Sequence, residues 1–145
     1  MNENQFEFRT QKITVDSAMA IKTFVQESLE AGEVTALIGL EVQGAFVAAW
    51  WPGILKELKE SKCPQNLYNL TKNYFTQRSA ALTMNSLRIR KLVNRGSPQA
   101  SCVAPGLWNL QFNSLLKIKI LARSKVVAYA DELLIAVRGD SIRAV

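Results

Sequence analysis

Apolar residues recur at helical spacing over 16–31, where Ile21, Phe24, Val25 and Leu29 share a face, Thr14 or Asp16 offers a cap and Gly32 ends the run. The pattern then changes. Residues 34–42, VTALIGLEV, form the continuous apolar run of a buried strand, with Glu41 near its end. Pro52 suits the first turn of a helix carrying Ile54, Leu55 and Leu58, and Pro64 opens another with Leu67, Leu70 and Tyr74 inward. SAALTMNSLRIRKLV, 79–93, reads as two strands around Asn85–Ser86. Pro105 begins a helix through GLWNLQFNSLLKI, and 126–137, VVAYADELLIAV, is a final hairpin. The order helix, strand, helix, helix, hairpin, helix, hairpin predicts an α+β fold, a mostly antiparallel sheet with helices packed on one face.

The final hairpin breaks a local rule. Its apolar runs, Val126–Ala130 and Leu133–Val137, leave Asp131 and Glu132 at the join. A two-residue join favours Asn-Gly or Asp-Gly because its central residues need positive φ. Here it has two like charges and no glycine, and such a break is common at functional sites. A strand ending in one carboxylate, facing a hairpin tipped by two more, suits a hard cation such as Mg²⁺, which takes oxygen ligands. A solvated acidic tip is the more ordinary reading of the same residues.

Composition narrows the chemistry. The chain of 145 residues is long enough for one domain with a real core, and its 48% apolar content excludes wholesale disorder. A net charge of +6 favours an anionic partner such as nucleic acid. There is no histidine, which removes Ser-His-Asp and Cys-His catalysis and any histidine metal ligand. Cys63 and Cys102 stand far apart, outside any Cys-x-x-Cys, and read as two buried reduced thiols. The polar N-terminus is unlike a signal peptide, and no apolar run is long enough to cross a bilayer. A nuclear or cytoplasmic protein, neither secreted nor membrane-bound, is expected. The RGD at Arg138–Asp140 is then a chance match.

Four stretches change the weight given to the acids. LEVQGAFVAAWWP (40–52), RGSPQASCVAPGLWN (95–109) and AYADELL (128–134) together resemble motifs A, B and C of a reverse transcriptase palm, and QFEFRTQKITVDSAM (5–19) resembles the fingers motif upstream. The resemblance is to retrotransposons lacking long terminal repeats, of the kind inserted in insect ribosomal DNA. It implies a right-hand polymerase fragment in a single partial domain, with 1–33 in the fingers and 34–145 in the palm with intervening fingers elements. It implies a thumb beyond Val145, and so a truncated piece of a larger polyprotein. The implied activity is RNA-directed DNA synthesis with two Mg²⁺ ions, an RNA template, a DNA primer and deoxynucleoside triphosphates.

By the same resemblance Glu41, Asp131 and Glu132 stand at the catalytic, metal-binding aspartates, and the three are expected to meet. Phe46 matches the aromatic gate under the nucleotide sugar. Gln99, with Gly96 and Pro98, matches the loop lining the incoming nucleotide. Arg9 and Lys12 match basic fingers residues, and Arg88, Arg90, Lys91 and Arg95 form a basic run suited to phosphates.

The departures fall on motif positions. The family pattern has aspartate at Glu41, Glu132 and Val47, cysteine at Ser97, and glycine at Glu7, Ala100 and Ala104. Proline is usual at Thr10. Glutamate adds a methylene, and displacements of about 1 Å can lower a rate on the order of 10²-fold. Impaired catalysis is therefore expected, with a non-catalytic nucleic-acid-binding relic as the alternative. The helix over 105–117 and the strand ending at Val137 are expected to leave apolar surface uncovered.

Overall fold

The computed structural model describes residues 2–97, 101–118 and 122–145. Its elements are α1 (Thr14–Glu30), β1 (Val34–Glu41), α2 (Ala45–Ala48), α3 (Trp51–Glu60), α4 (Gln65–Phe75), β2 (Ser79–Met84), β3 (Leu87–Leu92), α5 (Ala104–Leu115), β4 (Ser124–Tyr129) and β5 (Glu132–Gly139). The fold is α+β with antiparallel sheets. The chain divides into two compact units, residues 1–43 with 112–145, and residues 44–111.

The first unit holds a three-stranded antiparallel sheet in the order β1-β5-β4. Its α1 starts where the Asp16 carboxylate accepts the Ile13 N–H at 2.8 Å, and ends before Gly32 at φ 71. Ile21 of α1 is buried with Phe6, Val127 and Ala136, and Phe24, Val25, Tyr129 and Leu134 pack around them. Leu29 misses this face and is exposed. Residues 4–6 run along the outer edge of β4: Ala128 N–H donates to the Asn4 carbonyl at 2.9 Å and Phe6 N–H to the Ala128 carbonyl at 3.0 Å. That covers one sheet edge.

The other edge is β1, and the expectation of a buried strand there fails. Leu37, Ile38 and Leu40 are about half exposed, at 54%, 47% and 50%. Continuous apolar composition cannot tell a central strand from an edge, and among the described residues β1 pairs on one side only. Of the helix and strand expected to leave apolar surface uncovered, Leu107, Trp108, Phe112 and Val137 are buried while Leu115 is exposed, and exposed apolar residues also lie on β1, on β2–β3 and on α4. The RGD sequence is held structurally. Arg138 and Arg123 both pair with Glu33, Arg123 also meets Asp140 at 3.1 Å, and the Arg138 guanidinium lies 5.1 Å from the centre of the Phe24 ring.

The core of the second unit gathers Ala49, Trp51, Ile54, Leu58, Phe75 and Leu107, with the Trp51 and Phe75 rings stacked at 4.9 Å. Pro52 lies in the first turn of α3, as its fixed φ favours. In α4 the expected inward face is displaced by one residue. Leu67, Leu70 and Tyr74 point outward, while Tyr68 and Phe75 face the core. Apolar residues flank both phases of this helix, and the stack on Trp51 selects Phe75. The β2–β3 ribbon is a separate two-stranded sheet, almost wholly exposed. Cys63 is half-buried and Cys102 exposed, so the two thiols are free but not both buried. No helix among the described residues is long and apolar enough to cross a membrane.

The acidic end of the three-stranded sheet as candidate functional site

Register brings two of the acids together. Glu41 of β1 stands opposite Glu132 of β5, and Tyr129 of β4 completes the row. Val42 N–H donates to the Asp131 carbonyl at 3.0 Å. Antiparallel pairs alternate, so Glu41 and Glu132 form a non-hydrogen-bonded pair, the kind in which Cα atoms are only roughly 4.5 Å apart. Like charges directly opposite are destabilising. Nothing in the packing of the sheet requires this pair, which sits at its exposed end.

The join differs from its sequence reading by one residue. The turn is Ala130–Asp131, and Glu132 is already the first residue of β5. The positive φ falls on Ala130, at 52°. An alanine there is strained by its Cβ. Asp131 and Glu132 are successive residues and leave the backbone in different directions. The sheet therefore gathers the three acids at one end. Yet among the described residues no group of three His, Cys, Asp or Glu side chains is arranged to hold a metal ion.

Beside this end, α1 and the sheet enclose a cleft of about 450 Å³ lined by Ile21, Val127, Leu134, Tyr129 and Glu132. The Thr14 hydroxyl donates to the Tyr129 hydroxyl at 2.8 Å across it. In the same unit the Arg9 guanidinium donates to the Asn2 and Gln5 carbonyls at 2.7 and 3.2 Å. Lys12 lies 4.5 Å from the centre of the Phe6 ring. Both basic fingers candidates thus have partners within their own segment.

The remaining candidates belong to the second unit. Phe46 sits in α2 with its ring 6.1 Å from that of Trp108. Gly96 has φ 95, and a Cβ there would lie 3.1 Å from the Val47 carbonyl oxygen, so glycine is required. Pro98 and Gln99 lie outside the described residues, as does Ala100. The basic run is split by register. Arg88 and Arg90 share a face of the ribbon with Ser79, Ala81 and Thr83, while Lys91 lies on the other with Leu82, Met84, Leu87 and Ile89. Arg90 Nε donates to the Ser79 hydroxyl at 2.8 Å. Arg95 follows β3 and is exposed. Sequence reasoning misses Arg78 and the buried Ser97 as site residues. The β2–β3 pairing sets Arg78 beside Val93, and the following loop brings Ser97 to the same cleft.

The structure places an acid at a strand end opposite an acidic hairpin, and comparison with known proteins supplies the family. Residues 1–143 match the family described as reverse transcriptase (RNA-dependent DNA polymerase), and the chain belongs to that family. Among its relatives is the retrovirus-related Pol polyprotein from type-1 retrotransposable element R1 of Bradysia coprophila, 34% identical over 94% of this chain. Another is the RNA-directed DNA polymerase from mobile element jockey of Drosophila funebris, 31% identical over 95% of this chain. The chain is thus a reverse transcriptase domain sequence of the retrotransposon type that lacks long terminal repeats. It spans only 13% and 15% of the lengths of those two relatives.

Proposed function

We propose that this chain is the fingers and palm part of a retrotransposon reverse transcriptase, and that its acidic sheet end is an altered polymerase centre with impaired catalysis. The observation that carries this reading is the register of Glu41 against Glu132, with Asp131 in the adjoining turn. Two like charges in direct opposition are a local penalty that a selected or inherited site explains. In this reading 1–33 belong to the fingers and 34–145 to the palm with intervening fingers elements. RNA template, DNA primer and deoxynucleoside triphosphates are the partners. Phe46 would limit the sugar, and Gly96, Pro98 and Gln99 would line the nucleotide. Arg9, Lys12, Arg88, Arg90 and Arg95 would meet phosphates.

Members of this family ordinarily use divalent metal ions. Mg²⁺ demands near-octahedral oxygen ligands. The three acids as they stand do not fit that demand, since they form no three-ligand group among the described residues. Glutamate at 41 and 132 extends each carboxylate by one methylene, and phosphoryl transfer depends almost wholly on positioning and charge stabilisation. Weak Mg²⁺ binding and no primer extension follow. A non-catalytic nucleic-acid-binding role is the second reading, favoured by the exposed face bearing Arg88 and Arg90.

The test is a graft into a complete enzyme of the family. The graft carrying Glu41, Glu132 and Ala100 is expected to lose primer extension by about 10²-fold. Glu41→Asp, Glu132→Asp and Ala100→Gly together should recover it. Extension at near the parent's rate by the unreverted graft would refute the impaired centre.

A further inference from the structure

We propose that the second unit carries a phosphate-binding cleft built from Arg78, Arg95 and Ser97. The cleft encloses about 360 Å³ between α2, the start of β2 and the loop after β3, and its lining includes Val47, Trp51 and Ser79 but no acid. Two of its donors are buried without a partner: Arg78 Nη1 and the Ser97 hydroxyl. Ser97 as a whole is only 6% exposed. A buried donor left unmade is unfavourable, and more so when it is charged. Arg95 adds a second guanidinium, exposed and without an ion pair among the described residues.

The cleft is preorganised. Ser97 N–H donates to the Phe46 carbonyl at 2.7 Å, Gly96 N–H to the Ala49 carbonyl at 2.8 Å, and Trp51 Nε1–H to the Gly96 carbonyl at 2.8 Å. These bonds fix the backbone of Gly96 and Ser97. The Val93 N–H donates to the Arg78 carbonyl at 2.9 Å, and the Arg78 guanidinium lies 4.2 Å from the centre of the Tyr74 ring. That ring holds one face of the guanidinium and leaves Nη1 to a ligand. Two guanidinium groups and a hydroxyl, uncompensated by a carboxylate, suit a tetrahedral oxyanion that accepts several charge-assisted hydrogen bonds. Val47, also in the lining, is apolar and supplies no carboxylate to the guanidinium groups.

The shared ligand chemistry is a phosphate group, from free inorganic phosphate or from a nucleic-acid backbone. The inference deepens the phosphate contact proposed for Arg95, and since every residue named lies in the second unit, its failure is distinguishable from failure of the acidic centre. The experiment titrates the full chain at constant ionic strength with inorganic phosphate, then with a ten-nucleotide oligothymidylate, reading calorimetry and melting temperature. Phosphate is expected to raise the melting temperature of the unaltered chain. Arg78→Gln should weaken binding by roughly tenfold or more, the size of one charge-assisted hydrogen bond. Val47→Asp keeps both arginines and supplies a carboxylate internally, so it should abolish phosphate binding and raise the melting temperature by itself. It also decides the matter if Arg78→Gln fails to fold. Sensitivity of free phosphate to these variants assigns a free-anion site, and sensitivity of the oligonucleotide alone assigns a backbone-binding site. Either supports the cleft. No binding of either probe, or binding unchanged by both variants, would overturn it.

Discussion

The two hairpins of this chain are built alike and stabilised differently. Each joins strands through two residues and places a non-glycine residue at positive φ: Asn85 at 54° in β2–β3 and Ala130 at 52° in β4–β5. Asparagine tolerates the left-handed region, because its short polar side chain can bond locally, whereas alanine does not. The first hairpin follows good turn chemistry and buries almost nothing. The second violates turn chemistry, carries Asp131 and Glu132 at its tip, and buries Val127, Ala128, Leu133, Ala136 and Val137. Burial of those strands, at about 25 cal/mol per Å² of apolar area, offsets the strained join and the opposed charges. A hairpin held by its flanks can carry a costly tip, and a hairpin held by its turn can leave both faces free to bind.

The largest expected effect separates the hairpins by stability. Leu133→Ala should lower unfolding free energy by about 2–5 kcal/mol, as for other buried leucines. Leu82→Ala, on an exposed strand, should stay within about 0.5 kcal/mol. Urea denaturation of both variants checks this, and equal losses would break the comparison.

Nucleic-acid binding separates the faces of the exposed ribbon. Replacing Arg88 and Arg90 together by glutamine should reduce the salt slope of single-stranded DNA binding by about 1.4, at roughly 0.7 for each phosphate no longer neutralised. Lys91→Gln, on the opposite face, should leave the slope unchanged. Fluorescence anisotropy across a salt series reads both, and equal effects would mean that register does not sort these residues.

Turn strain gives a smaller difference. Ala130→Gly should stabilise the chain by roughly 0.5–1 kcal/mol, the left-handed penalty less glycine's added unfolded-state entropy. Asn85→Gly should change little. The smallest effect is electrostatic. Glu41→Gln should add about 0.2–1 kcal/mol by removing the like charge opposite Glu132, and the gain should shrink as salt rises. Thermal melts at two salt concentrations check it.

What sequence makes legible follows from what each signal encodes. The element order, apart from the short α2, is readable from period and punctuation: Pro52, Pro64 and Gly32 mark boundaries that backbone geometry enforces. The phase of α4 is not, because Leu67, Leu70 and Tyr74 make as good a stripe as Tyr68 and Phe75 until the Trp51 ring chooses. The exposure of β1 is not, since strand order is a tertiary fact. At the site, motif likeness leads to Glu41, Asp131 and Glu132, but composition misplaces the turn by one residue. Proximity in sequence groups Lys91 with Arg88 and Arg90, although alternate residues of a strand face opposite ways. Arg78 and Ser97 leave no local pattern, because only the tertiary fold makes them neighbours.

On the reading proposed above, the acidic sheet end is a polymerase metal centre altered by two longer carboxylates. Mn²⁺ titration followed by paramagnetic broadening of the amide signals of Val42 and Ala130–Glu132 tests it directly. The unaltered chain should show weak broadening at those residues. The chain carrying Glu41→Asp and Glu132→Asp should show site-specific broadening at a Mn²⁺ concentration about tenfold lower or less, as ligands of the right reach restore affinity. Equal, tight broadening in both chains would contradict impairment, and its absence at those residues in both would contradict a metal centre there.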